Sequence, residues 1–91
     1  MKTIWKYELN EHGVKVIKMP LGAEILTIQS QHDKPVLWAL VDPEEYHTER
    51  VFEIAGTGHP LYKPEMIRKY IGTYQSFNGD FIGHVFEIIE Q

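Results

Sequence analysis

Apolar and polar positions alternate along most of this chain, a period that predicts strands rather than helices. Over Thr3–Leu9, the residues Trp5, Tyr7 and Leu9 share one face, with Lys6 and Glu8 on the other. The turn sequence Asn10-Glu-His-Gly13 follows, and Val14–Met19 resumes as a strand. Val14 and Val16 are in one phase there, Ile17 and Met19 in the other. That change predicts a bulge, a change of partner or a strand covered on both faces. Pro20-Leu-Gly22 makes the second turn and Ala23–Gln31 the third strand, with Leu26 and Ile28 in phase. After the polar turn Gln29–Asp33 comes Val36–Val41, six consecutive apolar residues between Lys34-Pro35 and Asp42-Pro43. The run is too short for an independent helix or a membrane span. Its valines and tryptophan read as a central strand covered on both faces, which places Trp38 in the core.

The second half is less regular. Glu44–Glu49 reads as a solvated loop and Arg50–Ala55 as a fifth strand with Phe52 and Ile54 inward. Gly56–Pro64 is long enough to cross over an end of the sheet. Pro64 suits the first position of a short helix over Glu65–Tyr70, and this competes with a strand over Lys69–Gln75. Asn78-Gly79 is a type I′ hairpin signal leading into a last strand, Phe81–Ile89, where Ile82, His84, Phe86 and Ile88 share a face. The expected fold is mainly β. It is a single small domain over residues 1–91, with about seven short, mostly antiparallel strands as a sandwich or partly open barrel and at most one short helix near 65–70. The expected core is Trp5, Tyr7, Val16, Leu26, Ile28, Leu37, Trp38, Leu40, Phe52, Ile54, Ile71, Val85 and Phe86.

Composition narrows the partners. Hydrophobic residues make up 43% and charged residues 24% of the 91, the ordinary globular mix. The formal net charge is -4 and the basic residues are scattered, with Lys63, Arg68 and Lys69 the nearest thing to a cluster. A phosphate backbone needs clustered Lys and Arg, so nucleic acid is not an expected partner. With no cysteine there is neither a disulfide nor a thiolate zinc site. The alternating N-terminus has no leader pattern, so the expectation is a soluble protein of the cytoplasm without membrane association.

Candidate chemistry is sparse. Gly56-Thr57-Gly58-His59 joins two glycines, whose backbone N–H groups can approach an anion, to a hydroxyl and an imidazole. It is the candidate ligand-binding loop, for a small anion such as a nucleotide, although a purely structural turn needs the same residues. The third glycine and βαβ unit of a dinucleotide fingerprint are missing. No two of the five histidines lie two to five residues apart, so no metal ligand set is assigned. His84, on an apolar strand face, reads as a satisfied core or interface histidine. No catalytic residue and no cofactor are assigned. His59 with Asp42 or Glu53 is a conceivable acid–base pair, whereas Glu44-Glu45 and Glu87/Glu90 read as solvated charge. Tyr46, Tyr62 and Phe77 lie in loops and are the candidate partner contacts, because aromatic side chains dominate binding hot spots. Free sheet edges invite self-pairing and so a homo-oligomer.

Several segments taken together carry a resemblance: Met1–Leu9, Met19-Pro-Leu-Gly-Ala23, Leu37-Trp-Ala-Leu-Val-Asp-Pro43, Gly56-Thr-Gly-His-Pro60, Tyr70-Ile-Gly-Thr73 and His84-Val-Phe-Glu87. Over nearly its whole length the chain resembles a family of short proteins of phages and prophages that has no assigned activity. Its Leu61–Lys69 stretch is longer than the family pattern. The resemblance implies an accessory protein of a mobile element, acting as a stoichiometric binder of a host protein or of a small anionic ligand, not as a catalyst. Two alternatives remain, a small hydrolase dependent on His59 and a structural or assembly component of a phage particle.

Overall fold

Seven strands form two antiparallel sheets. The protein is described by a computed structural model covering residues 1–9 and 12–90. The strands are β1 (Thr3–Glu8), β2 (Gly13–Pro20), β3 (Glu24–Gln31), β4 (Lys34–Val41), β5 (His47–Gly56), β6 (Ile67–Ser76) and β7 (Phe81–Glu90). One sheet has the order β1-β4-β3 and the other β2-β5-β7-β6. The smallest Cα extent is 16 Å, which fits two sheets stacked about 10 Å apart. The sheets do not close into a barrel. Of the turn expected at Asn10–Gly13, Asn10 and Glu11 lie outside the described residues.

The shared core draws on every strand but β1, with Trp5 and Tyr7 of β1 packed against it half-buried. β4 is the middle strand of its sheet, as its apolar run predicts, but it is not sealed equally on both sides. Leu37, Ala39 and Val41 face the other sheet and are fully buried, whereas Trp38 and Leu40 point outward and are only half-buried. Trp38 and Leu40 are therefore not central core residues: they stand on the outer face of the three-stranded sheet, where Lys6 and Thr27 pair with Trp38. Val16 and Leu26, also expected inside, are exposed. Val16 lies in the outward phase of β2, and the register from Gly13↔Ile54 to Pro20↔His47 is unbroken, so the phase change marks no bulge. Leu26 sits at a real bulge, between Ile25 and Thr27 of β3, where the extra residue turns its side chain out.

No helix forms near 65–70 among the described residues. A turn closed by Met66 N–H donating to the Lys63 carbonyl (3.0 Å) leads into β6 at Ile67. The hairpin before β7 is a four-residue loop, and its left-handed stretch starts before Asn78. Phe77, Asn78 and Gly79 have φ of 54°, 55° and 87°. Because β5 and β6 are not neighbours, their connection passes β7, and the carboxylate of Glu53, opposite in phase to the core residues Phe52 and Ile54, is buried by it. The sheets approach at β3 and β6, where Ser30 and Ser76 hydroxyls bond at 3.0 Å. On the other side Lys15 Nζ donates to the Glu8 carbonyl (3.2 Å), bridging β2 to β1.

Candidate functional site

The glycine loop turns sharply where β5 ends. His59 N–H donates to the Gly56 carbonyl at 3.0 Å, and Gly58 takes φ of 85°, a left-handed position that glycine occupies without strain. Gly56 is buried while Thr57, Gly58 and His59 are exposed. Thr57 Oγ1 lies 2.6 Å from His84 Nε2, and His84 Nδ1 lies 3.0 Å from Thr73 Oγ1. Thr73 Oγ1 in turn meets Tyr70 Oη at 2.5 Å. The β6–β7 register produces this chain by setting Thr73 opposite His84, and the loop brings Thr57 to the far nitrogen. A neutral imidazole donates at one nitrogen and accepts at the other, so the four side chains can form one continuous hydrogen-bonded chain from Thr57 to Tyr70. No carboxylate among the described residues belongs to it.

His59 takes a different place. Its ring lies against the Gly56 backbone and 5.9 Å from the His12 ring, centroid to centroid. The hollow beside the loop is lined by Gly56, Thr57, His59, Asp80 and Phe81. Asp80 adds a negative charge where an anion would sit, and the Thr57 hydroxyl and His59 N–H already have partners within the protein. The acid–base partners considered for His59 are engaged elsewhere. Asp42 Oδ1 accepts from Glu44 N–H at 3.1 Å, and Glu53 accepts from Tyr62 N–H (2.7 Å) and Arg68 Nε (2.8 Å).

A second cleft holds the charges that sequence reasoning passed over. Glu87 is buried rather than solvated, because it shares the inward phase of Val85 and receives a bidentate grip from Arg50: Nε to Oε2 at 2.7 Å and Nη2 to Oε1 at 2.8 Å. Arg50 Nη1 also donates to the Ala23 carbonyl at 2.5 Å. The hydrogen bond to Glu87 raises the Arg50 pKa beyond its ordinary value, against the opposing effect of burial. Burial has the opposite effect on Tyr7 and raises its pKa, although the Arg50 charge pulls it down. The Tyr7 hydroxyl is buried without a hydrogen-bond partner among the described residues. The signal for this pair was its phase, since Arg50 alternates with Phe52 and Glu87 with Val85 on the inward face.

The loop rings Tyr46, Tyr62 and Phe77 are all exposed. Phe77 stands out. Its backbone N–H donates to Asp33 Oδ1 (2.9 Å) on the neighbouring β3–β4 hairpin, where His32 and Asp33 also have positive φ. Two hairpin tips are thus joined with the Phe77 ring outward. Among the described residues no three His, Cys, Asp or Glu side chains are grouped to hold a metal ion, and no helix is long and apolar enough to cross a membrane.

No curated protein and no solved structure matches the chain. A family model does match, over residues 1–91, the whole of the two-sheet domain. The chain belongs to the family described as Domain of unknown function (DUF7352).

Proposed function

We propose that this is a small phage-type accessory protein, a stoichiometric binding module that engages a host protein in the cytoplasm without turnover. The observation that carries the reading is Phe77, a bulky residue at φ of 54° that is 58% exposed. Left-handed backbone at a non-glycine residue is costly, and an exposed ring recovers little of that cost by burial. An aromatic ring on a rigid, hydrogen-bonded tip is the kind of anchor that fills a partner's pocket. The acidic balance favours a partner with a basic surface. The test is a pull-down from host lysate with the wild type and Phe77→Asn as baits, paired with their melting points. A specific, saturable partner held by the wild type and lost by an equally folded Phe77→Asn supports the reading. Recovery of the protein alone by both baits counts against it.

One observation favours a second reading, a small histidine-dependent hydrolase. Thr57 and His84 are within hydrogen-bond reach, and Thr73 holds the other ring nitrogen, which is the order of nucleophile, base and orienting group. In this reading the base is His84 rather than His59. Turnover of an activated ester that is abolished by both Thr57→Val and His84→Gln is its test, and turnover unchanged in either variant removes it.

A further inference from the structure

We infer that the cleft where β3 faces β6 is a binding site for a small monoanionic carboxylate with an apolar body. Independent of the reading above, it rests on the Arg50 guanidinium. Of its five N–H donors, two go to Glu87 and one to the Ala23 carbonyl. The second N–H on each of Nη1 and Nη2 has no partner among the described residues, and the Arg50 side chain is 22% exposed, as part of the cleft wall. The guanidinium is therefore already fixed in orientation and offers one donor from each terminal nitrogen. A carboxylate can accept from this oriented group, with little ordering left to do on binding.

The charge count sets the valence of the ligand. Lys69 stands opposite Glu87 in the β6–β7 register, on the same face and at the cleft. Glu24 also lines the cleft, but it stands opposite Leu40, whose phase is outward, and so not on the inward face with Glu87. Two cations, Arg50 and Lys69, thus face one anion, Glu87, and the net positive charge suits a single negative charge better than a dianion. The cleft volume of about 470 Å³ is in the range of small-molecule sites. Its apolar walls come from Ile25, Leu26 and Ile71. Two of these lie at the register shifts of β3 and β6, between Ile25 and Thr27 and between Tyr70 and Gly72. Bulges break strand pairing and re-aim side chains, and here both face one space.

The test is a titration of the ¹⁵N-labelled full chain with sodium hexanoate, with 1-hexanol and inorganic phosphate as parallel arms at matched ionic strength. Saturable shifts confined to the amides of Ala23–Leu26 and Lys69–Ile71 are expected with hexanoate, and neither control should saturate there. Lys69→Gln, a change at an exposed residue, is expected to weaken hexanoate by about fivefold with the melting point unchanged. Shifts that never saturate or that map elsewhere overturn the proposal, as does unaltered affinity in Lys69→Gln. Saturation by phosphate at the same amides overturns the carboxylate class.

Discussion

Arg68 of β6 reaches past β7 to Glu53 of β5, Nε to Oε1 at 2.8 Å, with the two side chains only 7% and 3% exposed. The same guanidinium donates to the carbonyls of Lys63 (3.2 Å) and Met66 (3.1 Å) and to that of Tyr62. Glu53 closes the arrangement by accepting Tyr62 N–H. One ion pair thus ties down the connection between two strands that are not neighbours in the sheet. Removing one partner of a buried pair leaves the other charge uncompensated, so Arg68→Met should cost about 3–5 kcal/mol in urea unfolding. The double variant Arg68→Met with Glu53→Leu should lose less than Arg68→Met alone, because it strands no charge. An Arg68→Met protein as stable as the wild type would show that the connection is held by something else.

Gly83 marks a second constraint, this time of space. It pairs with Tyr74 across β6–β7, and a Cβ at Gly83 would lie 2.5 Å from the Tyr74 ring. Tyr74 is itself buried and packs on Phe81 at 6.0 Å between centroids, so the ring has little freedom to retreat. Gly83→Ala should destabilise by roughly 1–3 kcal/mol through overpacking. The same substitution in a Tyr74→Leu background should cost much less, and a thermal melt of the four proteins measures the coupling.

The tip at Phe77 runs the other way, because there a substitution should help the fold. Asn adopts a left-handed φ more readily than Phe, and the exposed ring contributes little burial. Phe77→Asn should therefore stabilise by about 1 kcal/mol, which for a domain of this size raises Tm by roughly 4–8 °C. Asp33→Ala should lower Tm by removing the acceptor for Phe77 N–H. A fall in Tm for Phe77→Asn would mean that the ring packs more than its exposure implies.

How far the sequence foretold these features depends on how local each one is. Alternation marked most of the strands because side-chain phase is written in neighbouring residues, although over Arg68–Ile71 it left strand and helix in competition. The Val36–Val41 run announced a central strand, but its hydrophobicity could not say which faces would be covered. Coverage depends on the other sheet, which packs on Leu37, Ala39 and Val41 and leaves Trp38 to the outer face. The Glu65–Tyr70 helix failed for a similar reason: Arg68 is held in a strand by Glu53, fifteen residues away. Among candidate site residues, the Thr57 loop was legible from its glycines, whereas His84, in an apolar phase, read as a satisfied core or interface histidine. Their contact was not, since it needs the pairing of Thr73 with His84 and a turn at Gly58. The Arg50–Glu87 pair could have been suspected from charges in inward phase, but its partner and geometry come only from the β5–β7 register.

That pair and the tyrosines near it also set how stability should respond to alkali. Burial raises the pKa of Tyr7 and Tyr74 above the ordinary value of 10.0, with Arg50 partly offsetting the rise at Tyr7. In the unfolded chain both phenols ionise at the ordinary value, so from there upward the folded state binds more protons than the unfolded one. Stability then falls as pH rises, while below 10.0 these groups contribute no slope. Arg50 adds nothing in this window, because its pKa is raised beyond its already high ordinary value. The Tyr7 hydroxyl supplies the cleaner test, being buried without a partner among the described residues. Tyr7→Phe removes an uncompensated polar group, so it should stabilise by about 1 kcal/mol at neutral pH and flatten the fall above pH 10.0. Urea midpoints measured at neutral pH and across the tyrosine range check both effects. An unchanged alkaline slope in Tyr7→Phe would leave Tyr74 as its source, and Tyr74→Phe would then have to flatten it.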